Sequence, residues 1–297
     1  MSKTFCICLV LVAAWSSLPA KVITVAAYNV ENFCLEDRMV DGVFKQKYPK
    51  PEKEKAALIQ VIKAIKPDVL AIEEMGGQEF LDELQYRLKL AGLVYPHSVV
   101  MPGGDPQRHL AILSREEFQP VQYQDLYFLH EGKRVPVLRG LLEAKFQTPE
   151  GEWDLFVVHL KSRLSHDMED LQSADYRQGE AARIRDQIIR AEQDSHPFLV
   201  VGDFNDDPKS SALRRFVEKG DLRLTEMLHP VDSRGEEWTE HWAGHGSFGQ
   251  IDYILASPNM EPHVIPASEG IYDGPGSTIA SDHRPVYVRI DTAQIQP

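Results

Sequence analysis

Positive charge, cysteine and long apolar runs are all scarce in this 297-residue chain. Lys and Arg number 32 against 45 Asp and Glu, giving a net charge of -13. A generic electrostatic grip on polyanions needs a basic face and is therefore excluded. If the chain acts on phosphates, a bound cation must supply the missing positive charge. Cysteine occurs only at Cys6, Cys8 and Cys34. The longest apolar run, Phe5–Trp15, falls short of the ~20 residues that span a bilayer. Repeats, low-complexity blocks and Pro/Gly/Ser linkers are missing too, which leaves an ordinary globular composition and no sign of a collagen-like or disordered chain.

The basic start Met1–Lys3, the apolar run and the small residues Ser16–Ala20 follow the order of a secretory signal. The expectation is cleavage after Ala20, a secreted or periplasmic product with no stable membrane insertion, and a single domain over 21–297. Cleavage would remove Lys3 and no acid, so the mature charge would be -13 - 1 = -14. Cys6 and Cys8 would leave with the signal. Cys34 then stands alone, an internal disulfide is impossible, and stability must come from the core.

Apolar runs of strand length recur at Val22–Ala27, Val69–Ile72, Leu110–Leu113, Leu141–Phe146, Leu155–Val158, Phe198–Val201, Ile251–Leu255 and Val286–Ile290. Helical spacing marks Lys53–Lys66, Gln78–Leu90 and Ser173–Gln193, with Pro67 stopping the first. Strands with interspersed helices mean a layered α and β domain. Periodicity alone does not separate a doubly wound parallel sheet from two packed sheets flanked by helices. Phe33–Pro49, Met101–Arg108 and Met227–Gly249 read as irregular loops, and loops of that length in a compact domain are more often functional than idle.

Polar residues gather where the apolar runs stop. Asn29 and Glu31 follow the first run, Glu73-Glu74 the second and His159 the fifth. Asp203-Phe204-Asn205 follows Phe198–Gly202, Asp252 lies between Ile251 and Tyr253, and Asp282-His283 opens the last strand. Singly, each has a structural explanation as a turn former, a helix cap or a satisfied histidine. Together they look like a polar site held on rigid strand ends.

Six blocks occur in order: Tyr28–Asn32 (YNVEN), Asp68–Glu74 (DVLAIEE), Val157–Ser162 (VVHLKS), Gly202–Asn205 (GDFN), Gln250–Tyr253 (QIDY) and Ser281–Pro285 (SDHRP). Across essentially the whole mature chain they resemble the endonuclease/exonuclease/phosphatase superfamily of deoxyribonuclease I-like enzymes, and most resemble its secreted bacterial nuclease-type members. The resemblance implies a four-layer α/β/β/α sandwich of two mainly antiparallel sheets flanked by helices, and a divalent-metal-dependent phosphoester hydrolase. It implies Glu74 as principal metal ligand, with Asn29, Glu31 and Asp282 around the metal. It also implies that Asp203 and Asn205 bind or orient the attacking water and the phosphate. His283 would contact the phosphate with Asp252 as its carboxylate partner, and His159 would face it.

These residue types suit the chemistry. Hard oxygen ligands favour Mg²⁺, with Mn²⁺ or Ca²⁺ as alternatives, over zinc. Either Asp203 or the Asp252–His283 pair can take the proton of the attacking water, and the sequence leaves that choice open. Arg139, Lys161 and Arg163 are further candidates for gripping phosphate oxygens. Trp238, His241, Trp242 and His245 are candidates for a base-stacking lip. Asp167, Glu169 and Asp170 read as a solvated acidic loop, with structural Ca²⁺ the weaker alternative.

The favoured substrate is nucleic acid, against which the missing basic surface counts. A sphingomyelinase-like or small-molecule phosphoesterase is the alternative. A membrane-acting enzyme should carry an exposed apolar hairpin or aromatic loop tip, and the sequence offers only Trp238–Trp242. A non-catalytic binding protein fits least, because the whole constellation is present.

Overall fold

The computed structural model describes residues 21–148, 151–165, 167–192 and 196–295. The expected signal Met1–Ala20 lies outside the described residues. None of the described helices is long and apolar enough to cross a membrane.

The principal strands are β1 (Val22–Phe33), β2 (Val69–Met75), β3 (His97–Met101), β4 (His109–Ser114), β5 (Gln119–Tyr123), β6 (Leu141–Gln147), β7 (Glu152–His159), β8 (Phe198–Asp203), β9 (Glu226–Met227), β10 (Asp252–Ala256), β11 (Gly270–Ile271) and β12 (Val286–Asp291). They form two six-stranded sheets, in the orders β11-β12-β1-β2-β4-β3 and β9-β10-β8-β7-β6-β5. Each sheet holds one parallel pair, β1 with β2 and β7 with β8. The remaining neighbours are antiparallel.

Strand alternation explains the layering. Leu155 and Val157 of β7 point into a core between the sheets, where they join Val25, Ile112, Leu199 and Ile254. Phe156 and Val158 point the other way, onto helices α3 (Ala174–Ala191) and α4 (Ser211–Val217) through Ile184, Ile188, Leu213 and Phe216. The first sheet does the same with Leu70 and Ile72, which pack on Leu58 and Ile62 of α1 (Glu52–Ile65) and Leu81 and Leu84 of α2 (Gln78–Leu90). Three apolar layers between four structural ones make the expected α/β/β/α sandwich, with both faces of each sheet buried.

Seven of the eight expected strand runs lie wholly in strands, the run Ile251–Leu255 starting one residue ahead of its strand, and the three expected helices form within two residues of their limits. The half-exposed edge strands β3 and β5 carry mixed polarity and gave no apolar run to detect. The largest departure is in Phe33–Pro49. It contains a two-stranded hairpin, Glu36–Val40 with Val43–Tyr48, closed by Asp41 and Gly42 at φ 52° and 77°. Two successive positive φ values match the tight turn that suits strand twist. The hairpin stands off both sheets, so it has no buried face whose periodicity would mark it. Met39, Val43 and Phe44 near its tip are all more than half exposed. The sequence had shown no clear apolar hairpin, and the structure corrects that. In Met227–Gly249 a smaller hairpin forms, Glu240–Trp242 with Ser247–Gly249.

Candidate active site

The inward stripes of five strands end in polar residues at one edge of the sandwich. Asn29 continues the stripe of Val25 and Ala27, and Glu73 that of Val69 and Ala71. His159 continues Leu155 and Val157, Asp203 continues Leu199 and Val201, and Asp252 precedes Ile254 and Ala256. Register then aligns Asn29 with Glu73, and His159 with Asp203 and Asp252. The parallel pairs bring carboxyl ends together. Antiparallel β10 and β12 begin at that same edge and deliver Asp252 and His283.

Backbone irregularity re-aims the neighbouring residues. Glu31, Asn32, Glu74 and Asn205 have φ between 47° and 61°, a left-handed conformation that non-glycine residues rarely adopt. The β1–β2 register shifts between Asn29 and Phe33, and the β2–β4 register between Ile72 and Met75. Such bulges turn a side chain off the strand's alternation. Glu74 is turned this way: its Oε2 accepts from Asn32 N at 2.9 Å, and its Oε1 lies 4.0 Å from His159 Nε2. Gly202, at φ 130°, lets β8 approach β7 so closely that a Cβ would collide with the Val158 carbonyl.

Asp203 is the hub. Its Oδ2 accepts from Asn29 Nδ2 and Asn205 Nδ2, each at 3.1 Å, and its Oδ1 accepts from Asn205 N at 2.8 Å. The same Oδ2 lies 3.5 Å from His159 Nε2 and 3.9 Å from His283 Nε2. His283 Nδ1 sits 2.9 Å from Asp252 Oδ2. His283 N donates to Ser281 Oγ at 3.0 Å, and Ser281 Oγ donates to Asn29 O at 2.8 Å, tying the last strand's entry to β1.

Two buried imidazoles are driven in opposite directions. Burial opposes charge on His283, but Asp252, and then Asp203, hold it well above the ordinary histidine range. Burial, reinforced by Arg139, His283 and Arg108, pushes His159 well below it. One ring is therefore a fixed cation and the other neutral, the kind of split that assigns acid and base roles. Burial first, and Asp252 second among the groups that raise it, push Asp203 up to about 8 although His283 opposes them. Burial also raises Glu73 well above the carboxylate range, and neither of its oxygens meets a hydrogen-bond donor.

Glu31 and Asp282 line one cleft of about 250 Å³. Burial and then the Asp282 charge push Glu31 up to about 7, against Lys50, whose Nζ lies 3.6 Å away. Glu31 feels the negative charge of Asp282 and Glu74, with Lys50 and Arg108 as the nearest cations. All three acids are hard oxygen ligands of the kind a divalent ion takes, but among the described residues their oxygens do not close into one tight group. The amide of Asn29 is engaged within the protein: its Oδ1 accepts from Glu31 N at 3.0 Å while its Nδ2 holds Asp203. Asp203, Asp252 and His283 also converge. However, His283 Nδ1 already faces Asp252, so that trio is a histidine–carboxylate pair with a neighbour.

Of the phosphate candidates, Arg139 is buried beside the cluster. Its Nη2 lies 3.1 Å from Asp105, and its Nη1 donates to Leu160 O at 3.3 Å. Arg163 donates to Asn205 O at 3.2 Å and pairs with Asp207 at 3.0 Å. Lys161 turns its ammonium onto the carbonyls of Ser162 and Leu164 and is not brought to the cluster. Asp170 accepts from Ala174 N and Tyr176 N at the start of α3, which gives that acidic loop a capping role. Phe248 stacks on His241 and lies tilted against Trp238, with the Arg284 guanidinium 3.3 Å above Trp238. Arg108 was missed in the sequence although its loop was flagged. Its Nε donates to Asn32 Oδ1 at 2.7 Å and lies 4.0 Å from Glu74. Glu240, bridged to His283 across strand backbones, was missed as well.

The catalytic domain of human Nocturnin superposes with a TM-score of 0.63 at 16% identity, covering 90% of this chain and 93% of that one. An endonuclease/exonuclease/phosphatase from Bacteroides vulgatus gives 0.64 at 16% identity, over 91% and 99%. Truncated Caenorhabditis elegans TDP2 gives 0.59 at 16%, over 91% and 98%. These likenesses show a shared fold. No curated protein matches the chain in sequence. The profile of the Endonuclease/Exonuclease/phosphatase family matches residues 26–283, and with six sequence blocks converging on one sheet edge, the chain belongs to that family, whose members are generally divalent-metal-dependent hydrolases of phosphoester bonds.

Proposed function

We propose that the chain is an exported phosphodiester hydrolase, a nuclease that cleaves DNA or RNA by attack of water on phosphorus. The observation that carries this reading is Asp203. It lies within 3.9 Å of a charged and a neutral imidazole while two asparagine amides fix its orientation. Glu74, with Glu31, Asp282 and Asn29 around it, would hold Mg²⁺; Mn²⁺ and Ca²⁺ share its preference for oxygen ligands. When bound, that ion polarises a phosphoryl oxygen and neutralises charge.

The chain's own residues do the rest. Asp252 fixes the His283 tautomer, so that Nε2 presents a proton and positive charge to a phosphate oxygen, as in other carboxylate-oriented histidines. Asp203, whose Oδ2 faces both imidazoles and the Asn205 amide, is placed to accept the proton of the attacking water in its ionised form. Neutral His159 donates from Nε2 to Asp203 or to a phosphate oxygen. Arg139 and Arg108 add fixed positive charge around Asp105, Asn32 and Glu74. Mature protein should nick plasmid DNA or cleave RNA in Mg²⁺, and chelation should stop it. Glu74→Gln and His283→Ala should each lower kcat/KM by about 10³-fold. Full activity in either variant removes this reading.

The exposed hairpin tip favours a second reading, a sphingomyelinase-like or other lipid phosphoesterase, since Met39, Val43 and Phe44 offer an apolar wedge. Phe44→Asp decides between them. Loss of choline-phosphate release from vesicles with intact plasmid nicking supports the second reading for lipid substrates. Absence of any lipid hydrolysis in the wild type rejects it.

A further inference from the structure

At the other end of β7 from His159 lies a second group of acids. Asp154 stands five residues before His159 on the same strand, about 16 Å away at a rise of about 3.3 Å per residue. Asp154 faces Lys145 across the β6–β7 ladder, and Glu143 shares that α3-covered side. Glu192, just past the end of α3, and His196, just before β8, close over them. One ligand atom each from Asp154, Glu192 and His196 lies within 4.8 Å of the others.

The Asp154 carboxylate is only 1% exposed, yet its Oδ1 meets no hydrogen-bond donor. Both Glu192 oxygens also lack one. Facing the group are the ammonium of Lys145, 3.1 Å from Glu143, the His196 imidazole, whose Nδ1 lies 3.7 Å from Asp154 Oδ2 and 3.8 Å from Glu152, and the Tyr123 hydroxyl, which donates to Glu143 at 2.7 Å. Burial and the Asp154 charge push Glu192 up to about 9. The carboxyl end of α3 adds further negative potential. Two anions cannot share this space bare, so a proton or a cation must lie between them.

We propose that Asp154, Glu192 and His196 form a second divalent-cation site, remote from the catalytic cleft, for a first-row transition ion such as Mn²⁺ or Zn²⁺. An imidazole beside two carboxylates selects these ions over Mg²⁺ and Ca²⁺. An adjoining cavity of about 250 Å³, lined by Glu192, His196, Ile188 and Phe198, admits water to complete the coordination. The ion replaces the shared proton and staples the end of α3 to β7, so its affinity rises with pH.

The test is calorimetric titration of chelator-stripped full-length protein with Mn²⁺ and with Zn²⁺ at pH 7.5, for wild type, Glu192→Gln, His196→Gln and Glu74→Gln. Wild type should take up one equivalent more than the Glu192 or His196 variants, or bind it at least tenfold more tightly. Glu74→Gln should retain that equivalent, so this result is independent of the catalytic site. The thermal midpoint of Glu74→Gln should rise on adding Zn²⁺, and that of Glu74→Gln/His196→Gln should not. Equal stoichiometry and affinity in wild type, Glu192→Gln and His196→Gln would overturn the proposal and leave a shared proton in the cluster.

Discussion

The Asp252 carboxylate, 2.9 Å from His283 Nδ1 and buried with it, is what keeps that imidazole charged in a setting that otherwise disfavours charge. Replacing it with asparagine removes the strongest group opposing burial and leaves only Asp203 and Asp282 to do so. Asp252→Asn should therefore lower the His283 titration point by more than about one unit in an NMR pH series, and lower kcat/KM by about 10²- to 10⁴-fold. The sign for stability follows from linkage. The folded state holds the His283 proton more tightly than the unfolded chain does. Its stabilisation is thus complete below the ordinary histidine range and is lost as pH rises through the raised folded value. Urea melts of Asp252→Asn should show a weaker alkaline decline. An unchanged His283 titration would mean that the carboxylate acts only as a spacer. Gly202 is the other decisive residue: its φ of 130° and the Val158 carbonyl in front of it leave no room for a Cβ. Gly202→Ala should cost about 3 kcal/mol or more in denaturant unfolding, through left-handed strain and displacement of β8.

Elements place the site, and α3 places more than its own core stripe. Glu180, fully buried on it, accepts from Leu138 N at 2.8 Å and Lys161 N at 2.7 Å, pinning the two segments that carry Arg139 and follow His159. Glu180→Ala strands two part-buried N–H groups, so unfolding free energy should fall by about 1–3 kcal/mol and activity should fall with it. Unchanged stability would show that water replaces the carboxylate. Much of this scale was legible in the sequence, because buried strands announce themselves as apolar runs and a polar residue ending one inherits its parity. Asn29, His159, Asp203 and Asp252 could be placed on inward stripes by counting in twos. The aim of Glu74 could not, since it depends on a left-handed residue in a bulge, and only the family blocks singled it out. Arg108 is set by long-range partners that no local pattern reveals, and the hairpin after β1 is built on turn geometry without a buried face. Lys161 was legible as a cation but not in direction, because its own loop carbonyls outcompete the cleft.

For the whole molecule, charge sets how the proposed nucleic-acid substrate would be held. The net charge is -13, and the cations near the cleft are already answered: Arg139 by Asp105, Arg163 by Asp207, and Lys50 by Glu31 and Glu54. Few of them are free to displace counterions from a nucleic acid. A protein that neutralises Z phosphates loses affinity with a log–log salt slope of about -0.9Z. With about two phosphates engaged, raising salt from 50 to 200 mM should weaken binding only about tenfold, against about 10³-fold or more for a groove making six contacts. Screening of the chain's own negative field works the other way and flattens the slope further. The check is KM for an oligonucleotide at fixed saturating Mg²⁺ across that salt range. A slope steeper than about -5 would require an uncompensated basic track, and the cleft cations, each tied to its own carboxylate, do not supply one. A shallow slope means that recognition is concentrated on the scissile phosphate, with the ion and His283 bearing the charge that a basic groove supplies elsewhere.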